Sequence, residues 1–188
     1  VIGYFMGPNG NAHFQKDLVS NADVIVLIGT RTNQNGTDSW KLYPPTAKYI
    51  HIDSNGNEVG RNYEATRLVG DARETILALT EELLSSDLTT RKDSRKLLEK
   101  KIQEGRNAYL DQSKAIRQSN SIPIRPERVM EELNQVLTPN SIVISDASYA
   151  SVWSANYLTS LFAGMRFLAP RGLAGIGWGF PMALGAKV

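Results

Sequence analysis

The stretch Asp23-Val24-Ile25-Val26-Leu27-Ile28-Gly29 decides how this chain folds. An uninterrupted aliphatic run, mostly β-branched, ends on glycine. Such a run predicts a strand buried on both faces, the pattern of a parallel sheet. Two further strands are read from Lys48-Tyr49-Ile50-His51-Ile52-Asp53 and from the short Arg67-Leu68-Val69-Gly70. Upstream, a turn-rich loop at 6–11 leads into a helix over about 12–21 that turns Phe14, Leu18 and Val19 inward.

Between the first two strands lies a polar loop, 30–39. A strand, a polar loop and a second strand ending on an acid resemble the Rossmann arrangement, in which that acid receives ribose hydroxyls. The Gly-rich fingerprint is missing, because Gly29-Thr30-Arg31-Thr32-Asn33 does not supply it. Asp53 is therefore read two ways, as a ribose acceptor or as the cap of the Asn55-Gly56 turn, with the turn favoured. His51 reads as a satisfied core or edge histidine. His13, at a helix start with no acid or nucleophile beside it, reads as a polar helix-end residue rather than a catalytic one.

Asp71-Ala72-Arg73-Glu74 has the form of a capping box, with Asp71 receiving backbone N–H groups and Glu74 reaching back. The helix it starts is expected to turn Ile76, Leu79, Thr80 and Leu83 inward. From 88 to about 118 the chain is highly charged and helical, and reads as a solvated connector. Ser119-Asn120-Ser121-Ile122-Pro123-Ile124, polar and then proline-stiffened, is the natural domain boundary.

A new α/β unit follows. Pro126 suits a first helical turn, and Val129, Met130, Leu133, Val136 and Leu137 line one side before Thr138-Pro139-Asn140 breaks the helix. Ser141-Ile142-Val143-Ile144-Ser145-Asp146 reads as a buried strand. Asp146-Ala147-Ser148 then stands at its carboxyl end, where open parallel sheets collect ligands. A helix over 149–160 and a strand at Arg166-Phe167-Leu168 deliver the chain to a glycine-rich stretch with Gly172, Gly175, Gly177 and Gly179. Its bare backbone permits close approach of a ligand, and beyond Pro181 the pattern turns helical. A helix N-terminus there would offer N–H groups to a phosphate. A glycine-rich turn before a tightly packed helix is the plainer reading.

Composition narrows the classes. In 188 residues, 41% are hydrophobic and 21% charged, with a net charge of +2, so a core can form and nothing favours nucleic acid. With no cysteine, disulfides and thiolate metal sites are excluded and a cytoplasmic setting is permitted. No apolar run is long enough to cross a membrane. Val1 opens as if inside an element, and 184–188 reads as helix without a cap, so an excised piece of a longer protein is expected.

In order along the chain, 21–31, Ile50-His51-Ile52-Asp53, Glu58-Val59-Gly60-Arg61-Asn62, Val69-Gly70-Asp71-Ala72, Ile144-Ser145-Asp146 and 172–186 resemble thiamine-diphosphate-dependent enzymes of the acetolactate (acetohydroxyacid) synthase type. The resemblance implies a Rossmann-like parallel-sheet central domain with its helical connector over 1–120. It implies a second, partial α/β unit over 121–188, the start of the thiamine-diphosphate-binding domain. In such enzymes the glycine stretch holds the aminopyrimidine between a backbone carbonyl and a backbone amide, with an apolar wedge bending the cofactor. By position Ala174 offers the carbonyl, and Ile176 the amide and the wedge, flanked by Gly172, Gly175 and Gly177. Ser148 and Tyr149 fall where the family places polar groups on the diphosphate. There the synthases typically carry Gly-Gln-His, and at 174 and 176 they carry Gly and Met.

The implied activity is decarboxylation or ligation of 2-oxo acids such as pyruvate through a cofactor-bound carbanion, in a homodimer or homotetramer. The family's catalytic glutamate and Mg²⁺ ligands find no counterpart in this sequence, so no catalytic or metal residue is assigned and the chain alone is expected to be inactive. FAD, bound by some synthases, is matched by Arg31 but not by Asn33 and Gln34, which stand where acids are expected. The alternative is a module for NAD or another adenine nucleotide, or for subunit contact, without catalysis.

Overall fold

The computed structural model describes residues 13–170 and 172–188. The expected loop at 6–11 lies outside them. Two compact units divide at Asn107 and Ala108, within one long helix.

The first unit opens with α1 (His13–Ser20) and is centred on a parallel sheet of β1 (Val24–Ile28), β2 (Lys48–Asp53) and β3 (Thr66–Val69), ordered β1-β2-β3. Leu27 lies opposite His51, and Ile52 opposite Leu68. Leu27, Leu42, Ala47, Ile52 and Val59 are buried. Phe14, Leu18 and Val19 are half-buried, and the Phe14 ring lies so close to Gly105 that a Cβ there would meet it at 2.5 Å.

One expectation for β1 is corrected. Val24, Val26 and Ile28 are 40–44% exposed, so the strand is covered on one face only. In parallel sheets the crossover helices usually supply the second cover. Here the β1–β2 connection carries only a short 3₁₀ turn, Asn35–Thr37, and no helix joins β2 to β3. The aliphatic run specified a strand; cover for its second face depends on connections that the run does not encode.

The motifs carrying the family resemblance interlock. His51 is 1% exposed; its Nδ1 accepts from Gly60 N–H (3.1 Å), so the ring proton on Nε2 donates to the Thr30 carbonyl (3.0 Å). The Asn62 amide donates to the Arg31 and Thr32 carbonyls and to Thr32 Oγ1. Gly60, at φ +72°, stands where a Cβ would meet Arg67 Nε at 2.6 Å. The loop after β1 is thus pinned to the 58–62 turn through the buried histidine and the Asn62 amide.

Asp71 caps α2 (Ala72–Leu84) by accepting from Glu74 N–H at 3.1 Å. Glu74 does not complete the box, since its carboxylate pairs with Arg73. The inward stripe also differs from expectation. Ala72, Thr75 and Leu79 are half-buried, whereas Ile76 and Leu83 are exposed. The helix α3 (Thr89–Arg117) is charged and largely exposed, as read, with i,i+4 pairs such as Arg95–Glu99 along it.

In the second unit, α4 (Pro126–Val136) packs on α5 (Tyr149–Tyr157). The strands β4 (Ile142–Ile144) and β5 (Arg166–Leu168) pair in parallel, and α6 (Gly179–Lys187) closes the order. Asn134 stitches the end of α5, donating to Tyr157 O (2.7 Å) and accepting from Thr159 N–H (2.9 Å). Arg117, mostly buried, pairs with Glu131 and also donates to Ser113 Oγ and Leu110 O. The helix α6 starts two residues before Pro181, which sits harmlessly in the first turn.

Candidate cofactor site

Parallel pairing gives β4 and β5 a common carboxyl end, and the ladder continues one step past β4 with Ser145 N–H to Leu168 O at 3.0 Å. From this end the chain leaves twice: through Asp146-Ala147-Ser148 into α5, and through the glycine stretch into α6. Such an edge is where open α/β sheets bind ligands.

The first exit is strained. Ser148 has φ 73°, ψ −153°, a region that glycine alone enters freely, and it makes no side-chain cap to α5. The amides opening α5 therefore receive no cap from this side chain, and Tyr149 is 69% exposed beside them. Ala147, within this turn, is buried. Replacing Ser148 with glycine should relieve the backbone and raise stability by about 1 kcal/mol. Thermal unfolding of Ser148→Gly should show a higher Tm, and a lower one would contradict the strain assigned here.

The second exit lies open. Ile176 is 80% exposed and Leu173 fully so. Ala174 takes a left-handed φ of 57°, and Gly177 one of 88°. Neither Gly172 nor Gly175 has a left-handed φ, and a Cβ on either would meet no described residue within 4 Å. Packing among the described residues therefore gives no reason for glycine at either position. A group lying against the loop from outside would.

Asp146 joins the two exits, and sequence reading missed this. Its Oδ2 accepts from Gly177 N–H at 2.9 Å, and its Oδ1 accepts from Gly179 N–H at 2.5 Å. Those bonds, the one from Gly179 foremost, hold its carboxyl below the usual carboxylate range. With a depressed folded value, the stabilisation is fully present above the ordinary 3.8 and is lost as pH falls through the lower folded value. The only sequence signal was an acid at a strand's carboxyl end, with nothing to mark partners more than thirty residues away.

This corrects one expectation. At the N-terminus of α6 the Gly179 amide, read from the sequence as open to a phosphate, is taken from within by a carboxylate. Of the sequence-read site residues, Ser148 and Tyr149 stand at the opening of α5. Gly172, Ala174, Gly175, Ile176 and Gly177 form the exposed loop that Asp146 holds to β4.

The first unit offers less for this cofactor. Asp53 Oδ1 accepts from Asn55 N–H at 2.8 Å, as the turn reading has it. Asn33 bonds within its own loop, accepting from Gly36 N–H and from Thr37 Oγ1. A cleft of about 650 Å³ is walled by Trp40, Tyr43, Tyr49 and Tyr63; Tyr49 stacks on Tyr63 at 5.0 Å, and Tyr43 is tilted against both at 6.4 and 5.4 Å. Among the described residues no three His, Cys, Asp or Glu side chains group to hold a metal ion, and no helix is long and apolar enough to cross a membrane.

Residues 1–79 match the family described as the thiamine pyrophosphate enzyme central domain. Over 183 residues the chain is 31% identical to a probable acetolactate synthase large subunit of Methanococcus aeolicus, which covers 90% of this chain and 29% of that protein. It is 32% identical over 177 residues to the protein of that description from Methanocaldococcus jannaschii, covering 90% and 28%. A probable sulfoacetaldehyde acetyltransferase of Rhizobium meliloti is 26% identical over 205 residues, covering 97% and 33%. The chain thus spans about a third or less of the length of these relatives.

Proposed function

We propose, for a chain that is acetolactate synthase-like and carries a thiamine-diphosphate-enzyme central domain match, that the whole protein decarboxylates or ligates 2-oxo acids such as pyruvate with thiamine diphosphate. In this reading residues 1–120 form the central domain with its connector, and 121–188 half of the diphosphate-side scaffold. The observation that carries it is the outward bareness of Gly172 and Gly175, with exposed Ile176 between the left-handed Ala174 and Gly177.

Thiamine diphosphate, when bound, supplies the electron sink for loss of the carboxyl group. This chain's part is to bind and orient. The Ala174 carbonyl and the Ile176 amide present one acceptor and one donor to the aminopyrimidine edge. The Ile176 side chain, stiff at χ1, presses the ring from one side. The opening of α5 at Ser148 and Tyr149 faces the diphosphate with amides and a positive dipole end. Mg²⁺ and the glutamate are assigned to other parts of the whole protein, as are the contacts that make a homodimer or homotetramer. FAD has no support beyond Arg31.

Calorimetric titration of the full-length protein with thiamine diphosphate and Mg²⁺, followed by a pyruvate turnover assay, tests this. Saturable binding with turnover is expected from the full-length protein, and no turnover from the 188-residue chain alone. Binding of NAD or ADP in place of thiamine diphosphate would support the nucleotide module instead.

A further inference from the structure

The glycine loop must hold its shape without a core beneath it. Residues 172–177 are exposed throughout, and among the described residues the bonds from Asp146 to Gly177 and Gly179 tie this loop to the end of β4, while α6 itself also packs on β4. A bare loop with neither packing nor hydrogen bonds would sample many conformations.

Three residues form this tie as a set. Gly177 supplies a left-handed turn (φ 88°) that aims its N–H at the carboxylate. At Gly179 a Cβ would stand 3.0 Å from Asp146 Oδ1 and 3.1 Å from Asp146 N, so a side chain there crowds the carboxylate and forces it to shift by a few tenths of an ångström. Asp146 itself sits on a rigid strand end, its position fixed by the pairing of Ser145 with Leu168 and by buried Ala147. A carboxylate gripping two amides is both short and directional.

We infer that Asp146 is a positioning residue: by gripping the amides of Gly177 and Gly179 it fixes the backbone turn that presents Ala174 and Ile176 to the cofactor. It acts through the loop. This rests on the reading of the loop as the pyrimidine rest. The carboxylate is suited to the task because both its oxygens accept. An amide side chain would put an N–H against one of the two donors.

The test uses the full-length protein with Asp146→Asn and, as a second variant that keeps the carboxylate, Gly179→Ala. Two readouts are taken: hydrogen exchange of the amides over 172–182 without cofactor, and the rate of C2 proton exchange of bound thiamine diphosphate beside its Kd. Both variants should speed amide exchange at 177 and 179 about tenfold. Both should slow C2 exchange by about tenfold while moving Kd less than about threefold, the mark of lost orientation rather than lost binding. Wild-type amide exchange in both variants, or faster amide exchange with an unchanged C2 rate, overturns the inference. If the unaltered full-length protein binds no thiamine diphosphate, the proposed function falls, and the cofactor-facing role of Asp146 falls with it. The amide arm then still decides whether the tie exists. Should Asp146→Asn fail to fold, Gly179→Ala carries both readouts.

Discussion

Ile176→Ala in the full-length protein is expected to slow C2 proton exchange of bound thiamine diphosphate by about a hundredfold while leaving its Kd within about threefold. The side chain is 80% exposed, so its removal opens no cavity and costs the fold little. Whatever isoleucine does at this position, it does to something outside the loop. If it presses the pyrimidine toward the thiazolium, truncation to alanine leaves the backbone carbonyl and amide in place, and with them most of the binding. The ring then relaxes away from the reactive geometry, and misplacement by about 1 Å is enough for a loss of this order. Leucine, flexible at χ1, should recover part of the rate. An unchanged exchange rate would remove the wedge. A Kd that rises as steeply as the rate falls would make Ile176 a simple apolar contact.

The second large effect concerns the first unit. His51→Ala should lower its unfolding free energy by about 3 kcal/mol, read from urea denaturation. The histidine is fully buried, and both its ring nitrogens are engaged by backbone groups, the Thr30 carbonyl and the Gly60 amide. Its removal strands an acceptor and a donor from different loops, and each unsatisfied buried group costs about 1–3 kcal/mol. The loop after β1 and the 58–62 turn should loosen together, visible as faster amide exchange at both. A loss under about 1 kcal/mol would show that water enters and satisfies the two groups.

These effects bear on what the sequence made legible. The run 24–28 gave the parallel sheet, Asp71 gave a helix cap, and the charge pattern gave α3 its span to within a residue or so. Each is a local signal with a local cause. The bare second face of β1 was not legible, since cover comes from the crossover connections rather than from the strand. Nor was the left-handed run at Asp38, Ser39 and Trp40, with φ between 50° and 62° and no glycine to mark it. It is held by bonds such as Trp40 Nε1 to Thr32 O and Leu42 N to Thr37 O, whose pairing depends on the path of the loop.

The candidate site divides in the same way. Its glycines were readable as bareness, and the family resemblance put Ala174 and Ile176 at its centre. The sequence does not distinguish Gly177 and Gly179, which meet Asp146, from Gly172 and Gly175, which no described residue approaches. The engagement of the Gly179 amide by Asp146 was equally out of reach of the sequence.

A crystal structure of the full-length protein with thiamine diphosphate and Mg²⁺ tests the central claim most directly. The pyrimidine edge should lie within about 3 Å of the Ala174 carbonyl and the Ile176 amide, with the Ile176 side chain against the ring. A cofactor bound elsewhere, with 172–177 folded into the interior, would contradict it.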